Sequence, residues 1–549
     1  MFDWDIKVSS NNFKVLSENL LASRIGNLTK EQYFNPPQPV SFISEAYFDP
    51  FFIENLKKAK EIIFDAIKNN ELIIIHGDYD ADGVCATSII LKTIKETLNY
   101  PLCEYIIPDR FEDGYGLSDK TLQKILDLSF NQKHLLITVD CGITSISQIN
   151  ELKKKGNRII LTDHHHKPEI LPEADAVVWS DKVVGSTLAW ILSLGLGNKD
   201  PKFLSLASIA TVTDVFPLTD MNRSIVKHGI KVLQTNPPLP IKSLSAYLGK
   251  SFKDIGTYEL GFVIGPRLNS SGRIGSADSS IEFMISEDGD IVKELISKID
   301  AINQKRQQIT EESLESLVVD ELNLPKIVVV YNPNFHEGVM GLIASKIVQK
   351  YHRPALVISN NHDKLKGSAR SIKGINVIEI LNNYKDLFIS VGGHELAAGF
   401  SLSEEKLAEL TEKLNSHMEV NFSNFSFIKK IKVDAEIGFD LIDMGLLNFI
   451  KSMEPFGPSN DEPNFSTNQT VIKDKKFMGE KKNHMSLILE HSGKTFKALL
   501  FNFDKAYENL YLGQKIDIVY KIRKNEYNNK ISIDLNLIDI KLNNDWNLA

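Results

Sequence analysis

Four short apolar runs, each ending at an acid, constrain the fold of this chain more than any other feature. ELIIIHGD (71–78), CEYIIPD (103–109), HLLITVDCG (134–142) and NRIILTDHHH (157–166) recur at intervals that leave room for a helix between each pair. Uninterrupted apolar strands alternating with helices are the pattern of a parallel sheet covered on both faces. In such a sheet the carboxyl ends of the strands open onto one crevice, where ligands bind. Asp78, Asp80, Asp82, Asp140, Asp163, His164 and His165 are therefore expected to converge, although 87 positions separate the first from the last.

The first of these runs leads into GDYDADG, with three aspartates at alternate positions. An EF-hand loop opens with the same spacing but needs a preceding helix and a glutamate at its twelfth position. Here that position is Ile89 and the preceding segment is strand-like, so a calcium loop is excluded. A solvated acidic turn remains open for the triplet alone. Carboxylates crowded behind a buried strand raise one another's pKa unless a cation compensates, which favours a divalent metal. Carboxylates combined with the imidazole of His164 suit Mn²⁺ and tolerate Mg²⁺, and no cysteine pattern suggests zinc.

Composition sets outer limits. The 549 residues exceed one core and fit three or four domains. Neither a signal peptide nor a membrane span is recognisable, and Cys85, Cys103 and Cys141 are too few for a disulfide framework, so a cytoplasmic protein is expected. The net charge of −8 argues against a nucleic-acid partner until its distribution is considered. Beyond Ser466 fourteen Lys and Arg face ten Asp and Glu, a net of +4, which leaves −12 on the rest.

Further along, LSLASIATVTDVFPL (204–218) carries Asp214 near the end of an apolar stretch, and GPRLNSSGRIGSAD (265–278) reads as a glycine- and serine-rich loop with two arginines. Residues 285–322 read as one or two amphipathic connector helices. A second, smaller alternation of strands and helices runs from KIVVVY (326–331) to about His417. HEGVMG, GSARS and GGHELAAG are placed on its loops. After the proline-rich EPFGPSNDEPNF (454–465), short alternating runs predict a β-barrel or sandwich. Its Lys475, Lys476, Lys481, Lys482, Lys494 and Lys497, interspersed with Phe477, Phe496, Phe501 and Phe503, suit a single-strand groove. Most of those rings are expected to fill the barrel core instead.

GDYDADG, VDCG, TDHH and TVTDVFPL resemble the ordered motifs of the DHH phosphoesterase superfamily, and GGHELAAG resembles its DHHA1 domain. IPDRFEDGYGLS, GPRLNSSGRIG, HEGVMG, GSARS and EPFGPSNDEP are further similar to the RecJ family of single-strand-specific 5′ to 3′ DNA exonucleases. The resemblance implies an α/β protein: a parallel-sheet DHH domain, a connector helix, a smaller α/β DHHA1 domain and a C-terminal β-rich OB-like domain. The expected boundaries are an N-terminal extension at 1–45, then 46–284, 285–322, 323–420 and 428–549.

It also implies a site. Asp80, Asp82, Asp140, His164 and Asp214 match metal ligands for two divalent cations, Mn²⁺ or Mg²⁺, with Asp140 as the bridge. His76 and Asp78 are further candidates, Asp78 with a possible catalytic part. His165 matches the residue that touches the scissile phosphate, and Arg110, Arg273, Arg370, Ser371 and His394 match positions near the substrate. Single-stranded DNA is the implied partner, joined by a single-strand-binding protein and a helicase, for a chain expected to be monomeric and not membrane-bound. Two alternatives stand beside the exonuclease: another DHH phosphoesterase, such as an oligoribonuclease or cyclic-dinucleotide phosphodiesterase, and a noncatalytic replication scaffold.

Overall fold

A computed structural model describes residues 2–26, 28–361, 364–503, 505–527 and 530–542 of the chain. Its first sheet holds five parallel strands in the spatial order Cys103–Ile106, Leu72–His76, His134–Val139, Arg158–Asp163 and Ala176–Trp179. In sequence terms that is 2-1-3-4-5, a doubly wound order whose direction of winding reverses between the first and third strands. Loops leaving those two strands turn to opposite faces and leave a crevice between them. The strands are apolar because they are buried on both sides: Ile73, Ile74, Ile75, Leu135, Leu136 and Ile137 are all inaccessible to solvent.

Helices follow the strands for identifiable reasons. Asp80 caps Ala81–Lys92 through its side chain, which accepts from the amides of Asp82 and Gly83. Ser118 and Thr121 form a reciprocal cap on Asp119–Leu128. The connector is a single 27-residue helix, Gly289–Glu315, capped by Asp288.

The GPRLNSSGRIG segment corrects the sequence reading, because it is a helix, Gly265–Ile274, with Pro266 in its first turn. Its glycines serve packing and not turning. A Cβ on Gly272 would overlap the carbonyl oxygen of Tyr79, so the helix can lie directly on the acidic loop. Asn269 Oδ1 accepts from the Ala81 amide at 2.8 Å and fixes the same contact.

The DHHA1-type sheet runs Ser390–His394, Ala397–Leu402, Lys364–Arg370, Ala355–Asn361 and Val328–Tyr331, antiparallel except for its last pair. GSAR and GGH therefore lie on strands and not on loops, a second correction. HEGVMG forms the short turn Glu337–Val339 and starts the helix Met340–Tyr351. Both sheets fall within one unit, Val40–Asp214 with His228–Phe427.

The other unit joins the N-terminal residues up to Pro39, Val215–Lys227 and the chain from Ile428 onward. The N-terminal stretch is thus no free-standing extension: Asp3–Ile6 pairs in parallel with Lys430–Val433, and Leu16, Leu20 and Tyr33 enter the barrel's core cluster. Phe465–Met478, His484–His491, Lys494–Leu500, Lys530–Leu542 and Lys515–Tyr527 form successive pairs, and the last pairs back with the first to close a five-stranded barrel. Phe496 and Phe503 pack on its core as expected, whereas Phe477 and Phe501 are 44% and 51% exposed. No helix among the described residues is long and apolar enough to cross a membrane.

The Gly272 contact yields a test. Gly272→Ala forces a Cβ against backbone that has no room to retreat, and should destabilise the α/β unit by about 1–3 kcal/mol. Thermal melting of the variant checks this; an unchanged Tm would mean that the helix does not rest on the acidic loop.

Candidate active site

Asp78, Asp80 and Asp82 leave the first strand, Asp140 the third and Asp163 the fourth, and they face the crevice where the winding reverses. Three groups of side chains bring ligand-type atoms within 4.8 Å of one another: Asp78, Asp80 and Asp140; Asp82, His164 and Asp214; and Asp140, His164 and His165. Asp140 belongs to two groups, as does His164, so the clusters are continuous. His164 Nε2 lies 3.1 Å from Asp140 Oδ1, 3.6 Å from Asp82 Oδ2 and 3.9 Å from Asp214 Oδ2.

Local structure holds each acid in place. Asp140 has a φ of 61°, a left-handed conformation that costs a non-glycine residue about 1–2 kcal/mol. Its amide donates to Thr162 O at 3.0 Å, which ties it to the fourth strand. A Cβ on Gly185 would sit 2.6 Å from Asp140 Oδ1, so only glycine leaves that carboxylate its place. Asp82 accepts from the amides of Gly185 (2.8 Å) and Ser186 (2.7 Å), at the positive end of the helix Gly185–Gly195. Asp214 terminates the helix Lys202–Thr213.

Burial and mutual repulsion act together on these groups. Burial, then Asp80, pushes the Asp78 carboxyl well up; burial, then Asp82, does so for Asp140 and raises Asp80; and Asp214 rises to about 8 for the same two causes. Burial lowers His164, which keeps its imidazole neutral and able to donate a lone pair. Asp78 Oδ1 and Asp140 Oδ1 are buried without a hydrogen-bond partner among the described residues. Orphaned carboxylate oxygens beside neutral imidazole fit a hard or borderline divalent cation.

His165 behaves differently from its neighbour. Burial pulls its imidazole down, but a 2.8 Å hydrogen bond from Nδ1 to Asp163 Oδ1 and the charges of Asp163, Asp78 and Asp80 lift it to about 9. Asp163 also accepts from the amides of His164, His165 and Ile143; burial pushes its carboxyl up, but the hydrogen bond and charge of the His165 ring, with the His165 and Ile143 amides, hold it below the usual carboxylate range. The Tyr115 hydroxyl stands 2.9 Å from His165 Nε2. Asp163, His165 and Tyr115 thus form a chain that the motif TDHH only half announced; Tyr115 was visible only as part of DGYGLS.

Beside the acids lies a cluster of cations. Arg273 is lowered to about 10 by burial and then by Arg110, with Arg306 and Arg370 adding repulsion and Asp80 attraction. Arg110 lies over the Tyr79 ring at 5.3 Å. None of the four arginines pairs with a carboxylate within 4.0 Å among the described residues, an arrangement that suits an anion. Arg306, on an amphipathic helix, carried no signal in the sequence.

Three expected residues stand apart from these clusters. His76 is sealed in the core with Nδ1 3.3 Å from Cys141 Sγ, its pKa lowered to about 4 by burial, and its nitrogens join none of the three ligand groups. Asp78, by contrast, lies in one of those groups. Ser371 donates its hydroxyl to Ile375 O at 2.7 Å. His394 is exposed, and the sheet register places it in one row with Ala397 and Arg370.

Comparison with known proteins now identifies the class. Family models for the DHH family N-terminal domain, the DHHA1 domain and the RecJ OB domain match residues 72–211, 324–419 and 433–539. These matches make it a DHH-type protein with a DHHA1 and an OB domain. The chain is 31% identical to the single-stranded-DNA-specific exonuclease RecJ of Bacillus subtilis, over 99% of its own length and 71% of the relative's. With the protein of the same name from Haemophilus influenzae identity is 29%, over 90% and 92%. The chain belongs to the RecJ family. The fold matches a crystal structure of RecJ with Mn²⁺ from Thermus thermophilus with a TM-score of 0.80 at 24% identity, covering 98% of this chain and 79% of that one. A structure of exonuclease RecJ bound to manganese matches at 0.59 with 29% identity, covering 68% and 97%.

Two measurements test the electrostatics. Raised carboxyl pKa values mean that the folded, metal-free protein binds more protons than the unfolded chain, so its stability is lost as pH rises through the folded values, up to about 8 for Asp214. A divalent cation removes that loss, and the Tm increment from Mg²⁺ should grow between pH 6 and pH 8.5; an increment independent of pH would contradict the shared burial of the acids. Asp163→Asn should return His165 from about 9 toward an ordinary imidazole value, read by NMR titration.

Proposed function

We propose that the protein is a metal-dependent exonuclease that hydrolyses single-stranded DNA from the 5′ end to mononucleotides. The observation that carries this reading is the juxtaposition of a continuous carboxylate and imidazole cluster with an unpaired arginine cluster, one arranged for cations and the other for phosphate. Relatives named as single-stranded-DNA-specific exonucleases along nearly the whole chain support the substrate.

Asp78, Asp80, Asp82, Asp140, His164 and Asp214 would hold two divalent cations, Mn²⁺ or Mg²⁺, with Asp140 shared between them. Such ions supply an acidified water and neutralise charge on phosphoryl oxygens. The protein's own groups do the rest. His165, kept cationic by Asp163, donates through Nε2 to a phosphate oxygen, and Tyr115 keeps that nitrogen directed into the crevice before substrate arrives. Arg110, Arg273 and Arg370 bind neighbouring phosphate oxygens, and Arg306 adds charge to the same site. Because these donors are fixed before the reaction, little reorganisation accompanies charge development. Ser371 and His394 act at the DHHA1 edge of the substrate site.

The domain division proposed is an N-terminal extension at 1–45, whose residues up to Pro39 join the unit of the C-terminal domain, a DHH catalytic domain at 46–284, a connector at 285–322, a DHHA1 domain at 323–420 and an OB-like domain at 428–549. Membership of the RecJ family supports a cytoplasmic monomer that works with a single-strand-binding protein and a helicase.

Single strands labelled at the 5′ or the 3′ end decide the polarity: a labelled mononucleotide should appear first from the 5′ label, and only with Mn²⁺ or Mg²⁺. Activity confined to dinucleotides would transfer the protein to another DHH phosphoesterase activity. Asp140→Asn should lower kcat by at least about 1000-fold, as expected when the electrostatic stabilisation of the transition state is lost; a variant that keeps turnover would remove Asp140 from its shared position.

A further inference from the structure

The helix at the active site begins with an exposed aromatic pair that the chemistry above does not use. Tyr258 and Phe262 stack with ring centroids 5.1 Å apart and planes 28° from parallel, yet they are 64% and 71% exposed. They lie on Thr257–Glu259 and the following wide helical turn, Leu260–Ile264, whose other face is buried through Leu260, Val263 and Ile264. Single exposed apolar residues are ordinary, but two large rings stacked on each other toward solvent bury little and stabilise little.

Their place in the fold is the second observation. Gly261, between the rings, lies against Val212, and the next glycine, Gly265, lies against Thr213. Those residues end the helix Lys202–Thr213, which Asp214 terminates. The same segment runs without interruption into Gly265–Ile274, which carries Asn269 on the acidic loop and Arg273 in the cation cluster. The pair is thus mounted on one continuous helical element beside Asp214.

We infer that Tyr258 and Phe262 form a stacking station for the bases of a single-stranded nucleic acid on the 3′ side of the cleaved bond. The occupant follows from chemistry: a flat, exposed, near-parallel pair of π faces on the helical element that carries Arg273 into the cation cluster suits an unpaired base, and stacking tolerates any sequence. The side follows from polarity. This inference rests on the 5′ exonuclease reading, in which one nucleotide at a time lies on the 5′ side, so a base held away from the chemistry must lie 3′. Rings in the open wide turn are prepositioned, and a base continues the stack on an outer face.

The experiment uses the full chain and a Tyr258→Ala/Phe262→Ala double variant, with a Tyr258→Phe/Phe262→Tyr variant that keeps both rings. Oligothymidylates of 3 and 20 nucleotides are compared. In the alanine variant kcat/KM on the 20-mer should fall about tenfold more than on the 3-mer, the scale of one lost base stack, and the ring-keeping variant should restore the ratio. Separately, 2-aminopurine placed at successive positions of a bound strand, in Ca²⁺, should be quenched over a short window beyond the 5′ end in the wild type and not in the alanine variant. Equal length dependence together with unchanged quenching would overturn the inference and assign the pair to a protein partner. A wild-type protein that cleaves no single strand would sink the exonuclease reading, while the quenching window would still decide whether the rings hold bases.

Discussion

Buried acids held against one another dominate this protein. Asp78, Asp80, Asp82, Asp140 and Asp214 converge where the parallel sheet reverses its winding, and burial together with the neighbouring carboxylates makes Asp78, Asp80, Asp140 and Asp214 harder to ionise. Several surrounding features bear on that repulsion. Asp80 spends one oxygen on a helix cap, Asp82 takes two amides from a helix start, and Asp140, in a left-handed conformation, places its carboxylate in space that Gly185 leaves open. These arrangements fix positions without removing the charge. The remaining compensation has to come from cations, which makes metal affinity and fold one problem.

The arginine cluster is the complementary half. Arg110 comes from the sheet domain, Arg273 from the helix packed on the acidic loop, Arg306 from the connector and Arg370 from the DHHA1-type sheet. Four elements distant in sequence thus carry like charges to one place, at a cost in desolvation and repulsion that a phosphate would offset. His165 stands between the two fields: Asp163 and the nearby acids keep it charged, while His164, one residue earlier, is held neutral. Adjacent histidines with opposite protonation preferences suit one to a metal and the other to a phosphate.

Much of this was legible in the sequence. The apolar runs ending in acids gave the parallel sheet, the doubly wound crevice and the company of Asp140 and His164, because strand burial and loop position follow from periodicity. The short alternating runs beyond the proline-rich segment pointed to the barrel. What failed was local: glycine-rich GPRLNSSGRIG was read as a loop, although its glycines permit a helix to touch the Tyr79 carbonyl. GSAR and GGH were read as loops for the same reason. His76 entered as a candidate ligand through the family resemblance, and its ring lies in the core 3.3 Å from Cys141 Sγ, outside the three groups of ligand-type atoms.

The sequence by itself determined which residue types meet and that they meet at strand ends, since both depend on hydrophobic pattern and chain direction. Only the tertiary structure decided the ordering within the site: that Asp78 joins the ligand group and His76 does not, that Tyr115 meets His165, that Arg306 joins the cations and that the N-terminal strand pairs with the chain after Ile428. Those outcomes depend on side-chain direction and on contacts between segments hundreds of residues apart. Neither is encoded in spacing along the chain, and both are fixed by packing.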